Sequence, residues 1–189
     1  MKKVAMFASG NGSNAQCIAE YFENHPEIQV ALILSNKPDA YVLQRADKLN
    51  IPSITFNRDE FYHSNIVLDE LRNRSIDFLV LAGFLWLVPL NILRNFPYRI
   101  VNIHPALLPK YGGKGMYGSK VHEAVMENRE KETGISIHWV NEKYDEGEII
   151  FQDKVSVEEG DTADSIAQKV HSLEYRHYPA IIEQEVLKI

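Results

Sequence analysis

Apolar runs alternate with amphipathic segments over the first hundred residues. Four runs are apolar almost throughout, which predicts strands covered on both faces; they are 4–8, 28–34, 78–82 and 100–103. A shorter strand is predicted at 53–56. Helical spacing of apolar residues lies between these runs, at 14–24, 42–49 and within 59–74. This β-α-β-α order predicts a parallel sheet with right-handed crossovers.

The pattern changes in the last third of the chain. Residues 134–140 and 148–155 alternate apolar and polar positions, which predicts an antiparallel pair appended to the sheet. Asp161-Thr162 predicts the N-cap of a final helix, which Pro179 is expected to break. The predicted fold class is therefore α/β: a Rossmann-like, mostly parallel sheet with helices on both faces and an antiparallel extension near the C-terminal end. We expect one domain, 1–189.

Composition and charge narrow the class of partner. The chain has 189 residues, of which 45% are hydrophobic and 24% charged, as in ordinary globular proteins. Twenty Lys and Arg against 26 Asp and Glu give a net charge of −6. This balance argues against a general nucleic-acid or anionic-membrane binder, whose affinity rests on surplus Lys and Arg. A local basic pocket for a small anion stays possible.

Cys17 is the only cysteine, so an intrachain disulfide and a cysteine metal cage are excluded. The N-terminal apolar stretch is too short for a signal peptide. The longest apolar run, 78–90, contains Gly83 and Pro89 and is too short to span a bilayer. The histidines show no metal-ligand spacing. We therefore expect a cytoplasmic protein without a metal.

The first candidate site is the segment 9–14, Ser-Gly-Asn-Gly-Ser-Asn, between the first strand and the first helix. Glycines allow close approach of a ligand, and a helix N-terminus presents free N–H groups, so the segment predicts a phosphate site. It also fits the dinucleotide fingerprint, but 35–38 lacks the acidic residue that NAD binding expects. A plain strand-to-helix turn is the alternative.

The second candidate site is Asn102 with His104, at the end of a predicted central strand. Two residues apart on a strand, they point the same way. An amide donor beside an imidazole suits a reaction that forms an oxyanion and moves a proton. The acidic turn 144–147 becomes relevant only if it folds over His104. The glycine-rich segment 111–118 is either a mobile loop beside the site or a plain connection.

Together these segments resemble the folate-dependent formyltransferases, and within them the phosphoribosylglycinamide formyltransferases (GAR transformylases). The similarity runs from residue 4 to about 179, and five segments carry it in the order of that family: 9–14, 35–37, 81–84, 102–109 and 144–147. The Asn-x-His-Pro segment alone marks only the wider superfamily. Its other members, methionyl-tRNA formyltransferase and formyltetrahydrofolate deformylase, carry an additional domain for which we expect no room in 189 residues.

The resemblance implies formyl transfer from 10-formyltetrahydrofolate, as co-substrate, to the amine of glycinamide ribonucleotide in purine (IMP) biosynthesis. It assigns the catalytic roles to Asn102, His104 and Asp145. Ribonucleotide contacts fall on six residues: Gly12, Ser13, Asn14, Ser119, His122 and Glu174. Folate contacts fall on seven: Phe84, Leu85, Trp86, Leu87, Val140, Asn141 and Asp145. Trp86 stands where well-known members have Arg, and Ser64 where an Arg for the folate glutamate is expected.

The expected mechanism is a direct attack of the substrate amine on the formyl carbon. Asn102 would donate to the oxyanion, and a protonated His104 would support it. If Asp145 lies against His104, its charge should raise the pKa of the imidazole above about 6.5. Asp145 would then relay the proton through a water. The expected partners are small-molecule substrates, without nucleic acid or membrane, and the expected state is a monomer or homodimer.

Two other functions remain open from the sequence. A non-catalytic Rossmann-like module that binds a phosphorylated metabolite would explain 9–14 but gives Asn102, His104 and Asp145 no role. An NAD-dependent oxidoreductase would use the same glycines. Lys37 argues against this function, because NAD binding expects an acidic residue at the end of the second strand.

Overall fold

A computed structural model describes residues 1–189. Its strands are β1 (Lys2–Phe7), β2 (Ile28–Ser35), β3 (Ser53–Thr55), β4 (Phe78–Leu81), β5 (Ile100–His104), β6 (Glu132–Trp139) and β7 (Ile149–Ser156). Its helices are α1 (Ser13–Tyr21), α2 (Tyr41–Lys48), α3 (Arg58–Tyr62), α4 (Ile66–Asn73), α5 (Leu90–Asn95), α6 (Ser119–Glu127) and α7 (Ala163–Val186).

The strands form one sheet in the order β3-β2-β1-β4-β5-β6-β7. Neighbours from β3 to β5 pair in parallel, whereas β6 and β7 are antiparallel. The predicted fold class is therefore confirmed. The chain builds outward from β1 to β3 and then returns to place β4 on the other side of β1. In open sheets such a reversal opens a crevice at the carboxyl ends of the two strands, where ligands bind.

Alternating residues of the central strands pack into two separate cores. On β1, Val4 and Met6 face a cluster that includes α1, α2 and α7, and Ala5 and Phe7 face a cluster that includes α3, α4 and α5. These four residues are at most 2% exposed. Because both faces are covered, the strands are apolar almost throughout.

The segment 59–74 forms two helices rather than one. Asn57 caps α3 in a reciprocal capping box with Glu60. After α3, the Ser64 hydroxyl donates to the Glu60 carbonyl and accepts from the Ile66 N–H, which ends one helix and begins the next. Side-chain bonds of this local kind compete with helix continuation. Helices α5 and α6 were not predicted from the sequence.

Helix α7 starts as predicted but does not break at Pro179. Thr162 forms a capping box with Ser165, and the helix then runs through Pro179 to Val186. Proline removes one N–H and leaves the Tyr175 carbonyl without its helical donor. The Cys17 thiol on α1 lies 3.7 Å from that carbonyl oxygen and donates to it. Packing of α7 across the sheet therefore outweighs the local cost of proline.

Tyr178 ties α7 to the strand ends that carry the site. Its side chain is fully buried, and its hydroxyl lies 3.0 Å from the carbonyl oxygen of Leu81 and 3.2 Å from that of Val101. Burial raises the pKa of the phenol well above its ordinary value, so the hydroxyl keeps its proton and donates. Leu81 is the last residue of β4, and Val101 directly precedes Asn102 on β5.

Candidate active site

A cavity of about 790 Å³ lies at the carboxyl ends of β1, β4 and β5. It brings together both candidate sites of the sequence, because 9–14 and Asn102 with His104 line it. The glycine-rich segment 113–118 and residues 144–145 also form parts of its wall, as do residues of α7. The crevice therefore collects the polar groups of segments that are far apart in the chain.

The N-terminus of α1 opens into this cavity without a cap. No side chain caps the helix, and the N–H groups of Gly12, Ser13 and Asn14 donate to no acceptor of the protein. Gly12 has a positive φ of 75°, and a Cβ added there would overlap the side chain of Val42 on α2. Three free donors at the positive end of a helix dipole are chemically suited to bind a phosphate.

Polar side chains hold this loop from two sides. The Asn14 amide donates to the Glu174 carboxylate at 2.9 Å, and His171 Nδ1 lies 2.8 Å from the same oxygen. From the other side, Arg45 donates to the backbone carbonyl and to the side chain of Asn11 at 2.8 and 2.7 Å. Glu174 is only 4% exposed, so this carboxylate is a buried anchor of the loop.

Ser9 connects the loop to the end of β4. Its buried hydroxyl donates to the Asn36 side chain at 2.7 Å and accepts from the Leu85 N–H at 3.0 Å. The three connected segments follow three neighbouring strands, β1, β2 and β4. The hydroxyl thereby fixes the spacing between the phosphate loop and the segment 84–87.

Asn102, His104 and Asp145 meet at one end of the cavity, as expected. Asp145 Oδ2 lies 3.5 Å from His104 Nδ1, and Asp145 Oδ1 lies 3.4 Å from Asn102 Nδ2. The Gly113 N–H donates to Asp145 Oδ2 at 2.9 Å. The acidic turn therefore folds over His104, and the glycine-rich segment completes the wall around the carboxylate.

His138 is a fourth member of this cluster that sequence reasoning missed. In the β5–β6 ladder it lies opposite Asn102, and its Nε2 is 3.1 Å from Asn102 Nδ2. Its Nδ1 lies 2.9 Å from the Trp139 carbonyl oxygen, so Nδ1 carries a proton and Nε2 accepts from Asn102. The only signal in the sequence was the alternating pattern of the strand that contains His138. This pattern does not give the register between β6 and β5.

The prediction that the pKa of His104 is raised is wrong. His104 is 4% exposed, and this burial lowers the pKa of the imidazole below its ordinary value. The Asp145 carboxylate and the Tyr111 carbonyl act in the opposite direction but offset only part of the effect. Nε2 lies 2.6 Å from that carbonyl oxygen and must donate to it. The basic atom of the neutral ring is therefore Nδ1, which faces Asp145.

Asp145 stays ionised despite its burial. Burial alone would raise its pKa, but the neighbouring His138 and His104 rings and the Gly113 N–H together hold the pKa of the carboxyl below its ordinary value. Asp145 has a positive φ of 55°, which Asp tolerates better than most residues. Two residues later, Gly147 lies so close to the Trp139 carbonyl that a Cβ would overlap it. Glycine is therefore required where the loop returns to β6.

The residues assigned to folate divide between three environments. Phe84, Leu85 and Asp145 line the catalytic cavity, and Leu87 lines a second cavity of about 660 Å³. Trp86 and Val140 pack against the core between the sheet and α3 to α5, and Asn141 lines neither cavity. The ring of Trp86 lies about 6 Å from those of Phe56, Phe61 and Tyr62.

Ser119 and His122 both line the catalytic cavity, at the start of α6. His122 is 3% exposed, and its Nδ1 has no hydrogen-bond partner. Burial lowers its pKa, and the nearby His171 lowers it further. A buried polar atom without a partner costs free energy, which a ligand that bonds to it would recover.

No cluster of three or more His, Cys, Asp or Glu side chains is arranged to hold a metal ion. None of the helices combines the length and the apolar character needed to cross a membrane.

Comparison with known proteins gives the class to which this chain belongs. The formyl transferase family matches residues 2–182, so the chain belongs to that family. It is 35% identical over 189 residues to the phosphoribosylglycinamide formyltransferase of Bacillus subtilis, covering 97% of this chain and 94% of that one. It is 41% identical to the chloroplastic phosphoribosylglycinamide formyltransferase of Arabidopsis thaliana, covering 96% of this chain but only 64% of the plant protein.

Solved structures agree with this assignment. The glycinamide ribonucleotide transformylase 1 of Geobacillus kaustophilus has a TM-score of 0.88 with this chain at 32% identity. The match covers 98% of this chain and 99% of that one. The resemblance found in the sequence is thereby confirmed at the level of the family and of the fold.

Proposed function

We propose that this protein is a phosphoribosylglycinamide formyltransferase of purine biosynthesis. It transfers the formyl group of 10-formyltetrahydrofolate to the amine of glycinamide ribonucleotide. The observation that carries the proposal is the meeting of an uncapped helix N-terminus with Asn102, His104 and Asp145 in one cavity. A metabolite-binding module without catalysis would need only the first of these two features. We further propose that the enzyme is cytoplasmic and acts as a monomer or homodimer.

The cavity divides between two substrates. The ribonucleotide phosphate binds the free N–H groups of Gly12, Ser13 and Asn14. Ser119, His122 and Glu174 lie along the same cavity toward α6 and α7 and contact the rest of the nucleotide. The folate lies along 84–87 and the loop 140–145. The apolar side chains of Phe84 and Leu85 in the cavity wall suit its aromatic rings.

Asn102 stabilises the oxyanion that forms at the formyl group. The folate supplies an electrophilic formyl carbon, and attack by the substrate amine places negative charge on the formyl oxygen. Both hydrogens of Asn102 Nδ2 are engaged in the free protein, by His138 at 3.1 Å and by Asp145 at 3.4 Å. The longer contact is the weaker one, so this N–H turns to the oxyanion. The His138 contact then holds the amide in place.

His104 and Asp145 move the proton. The amine must lose a proton when the new C–N bond forms, and the departing folate nitrogen must gain one. The neutral His104 accepts at Nδ1, because its Nε2–H is held by the Tyr111 carbonyl. The adjacent Asp145 carboxylate stabilises the imidazolium while it exists and, through a water, passes the proton on.

Formyl transfer from 10-formyltetrahydrofolate to glycinamide ribonucleotide, followed as formation of the formylated product, tests the proposal. We expect Asp145→Asn to lower kcat by about 10²–10⁴-fold, the range for loss of an acid–base group. His104→Ala should lower kcat comparably, and the double variant should be little worse than the poorer single one. Asp69→Asn, the same change at an exposed site on α4, is the control.

Two results would overturn the proposal. Wild-type protein that transfers no formyl group to this nucleotide does not have the proposed activity. If kcat of the double variant fell by the product of the two single losses, His104 and Asp145 would not act as a unit.

A further inference from the structure

Arg58, at the start of α3, carries a charge for which the protein provides no partner. Its guanidinium donates to no acceptor and forms no ion pair with a carboxylate. It lies over two aromatic rings, 5.1 Å from the centroid of Tyr62 and 5.6 Å from that of Trp86. Stacking on aromatic faces orders a guanidinium while leaving its N–H donors free.

The Tyr62 ring connects Arg58 to the wall of the second cavity. Tyr62 lines that cavity, and its hydroxyl donates to the Leu87 carbonyl at 2.9 Å. Glu142, on the loop that carries Asp145, lines the same cavity as Tyr62. Arg58 stacks on this wall residue and therefore lies at the edge of the second cavity, whose wall the segment after β4 and the loop that carries Asp145 both help to form.

The two cavities share the same two walls. The segment that follows β4 contributes Phe84 and Leu85 to the catalytic cavity, and Leu87 and Val88 to the second cavity. The loop after β6 contributes Asp145 to the first and Glu142 to the second. A long ligand whose reacting end lies at Asn102 is thus led along these walls into the second cavity.

We propose that Arg58 binds the carboxylates at the glutamate end of the folate and so sets the preference of the enzyme for the tail of its formyl donor. This inference rests on the proposed function, because it requires a folate with its formyl end in the catalytic cavity. The tail carries at least two carboxylates, and each further glutamate adds another. The second cavity itself has no Lys or Arg in its wall, so Arg58 at its edge supplies the cation.

Glu142 carries a charge opposite to that of Arg58 and therefore provides a second, independent test of the proposal. Its carboxylate lines the second cavity and has no ion-pair partner, since the neighbouring Lys143 pairs with Glu146. A negative charge there repels a tail carboxylate, whereas Arg58 attracts it. Removing each charge separately should therefore shift the affinity for folate in opposite directions.

The test compares two ligands that differ only in the tail: 10-formyltetrahydrofolate and the corresponding pteroate, which lacks the glutamate. Each is titrated against wild type, Arg58→Met, Arg58→Lys, Glu142→Gln and Arg176→Met. Methionine keeps an apolar stem over the rings without charge, and lysine restores the charge. Arg176, an unpaired surface arginine on α7 outside both cavities, is the matched control.

We expect Arg58→Met to raise the Kd of the folate about three- to tenfold, the effect of one exposed charge-assisted contact. Arg58→Lys should recover most of the loss, and Glu142→Gln should lower the Kd. The Kd of the pteroate should not change in any variant. Salt near 1 M should abolish the difference between wild type and Arg58→Met, because exposed charges are then screened.

An equal rise in Kd for folate and pteroate would overturn the proposal, because Arg58 would then act through packing of Tyr62 and Trp86. An unchanged folate Kd in Arg58→Met would overturn it as well. These titrations do not depend on turnover. If the wild-type protein bound folate but transferred no formyl group to glycinamide ribonucleotide, the proposed function would fail while the assignment of Arg58 was still decided.

Discussion

His104 and Asp145 face each other across 3.5 Å, yet they are not a preformed ion pair. Opposite charge alone predicts an imidazolium, because a carboxylate nearby favours the charged ring. Burial outweighs that attraction and keeps the ring neutral at neutral pH. A neutral ring with one fixed N–H can take up a proton, whereas an imidazolium can only give one away. At the scale of residues, desolvation therefore keeps His104 neutral, so that the ring can accept a proton before it donates one.

Gly12 is the residue on which the proposed phosphate site most depends. We predict that Gly12→Ala raises the Kd of glycinamide ribonucleotide at least about tenfold and lowers the free energy of unfolding by about 1–2 kcal/mol, since a Cβ at positive φ is strained. The added Cβ would also overlap Val42, so α2 and the loop would have to separate. Calorimetric titration and urea unfolding measure the two effects.

Gly10 provides the matched control. It lies in the same loop, but a Cβ added there meets no atom within 4 Å. Gly10→Ala should therefore leave the free energy of unfolding nearly unchanged. Equal destabilisation by both variants would show that the Gly12 conformation is not what the loop requires.

At the scale of elements, the sequence predicts those parts whose pattern is decided locally. The buried strands, the antiparallel pair and the Thr162 cap follow from apolar periodicity and from cap chemistry. The fate of Pro179 does not, because it depends on packing of α7 and on a thiol from α1. His138 was missed for the same reason, since it pairs with Asn102, 36 residues away in the chain, through the register between β5 and β6.

The candidate site divides in the same way. The phosphate loop and the pair Asn102 and His104 could be found from the sequence, because each lies within a few residues at the end of one strand. The contact between Asp145 and His104 could be expected only if the turn 144–147 folded over His104, and the local sequence does not specify that conformation. The charge of His104 could not be predicted at all, because it depends on how deeply the finished fold buries the ring.

The Tyr178 hydroxyl connects α7 to β4 and β5 through the carbonyls of Leu81 and Val101. Replacing Tyr178 by Phe removes only this hydroxyl. We predict that Tyr178→Phe lowers the free energy of unfolding by about 1 kcal/mol, the net contribution of a buried hydrogen bond. The ring keeps its packing, so the fold should persist. Tyr98→Phe is the matched control, because Tyr98 is 76% exposed and its hydroxyl has no partner. Equal stability of the two variants in urea unfolding would mean that the contacts to Leu81 and Val101 contribute nothing.

At the scale of the whole molecule, the sheet collects ionisable groups from distant segments into one partly dry crevice. His104 comes from β5, His122 from α6 and His171 from α7, and all three line the same cavity. Burial lowers the pKa of the first two, whereas the hydrogen bond to Glu174 raises that of His171. The side chains that line the proposed substrate cavity therefore also affect global stability.

These shifts predict how the stability of the protein responds to acid. Below the ordinary histidine pKa of about 6.5, the unfolded chain binds protons at His104 and His122 that the folded protein does not. The free energy of unfolding should therefore fall as pH is lowered from 6.5 to 5, by at most about 1.4 kcal/mol per pH unit for each group. His171 acts oppositely: its contribution is fully present below about 6.5 and is lost as pH rises through its raised folded pKa. Urea unfolding between pH 5 and 8 should show a shallower loss of stability below pH 6.5 in His122→Asn. In His171→Gln, the loss of stability that His171 causes as pH rises above 6.5 should disappear. The same slope in wild type and both variants would contradict this assignment and would attribute acid sensitivity to groups outside the cavity.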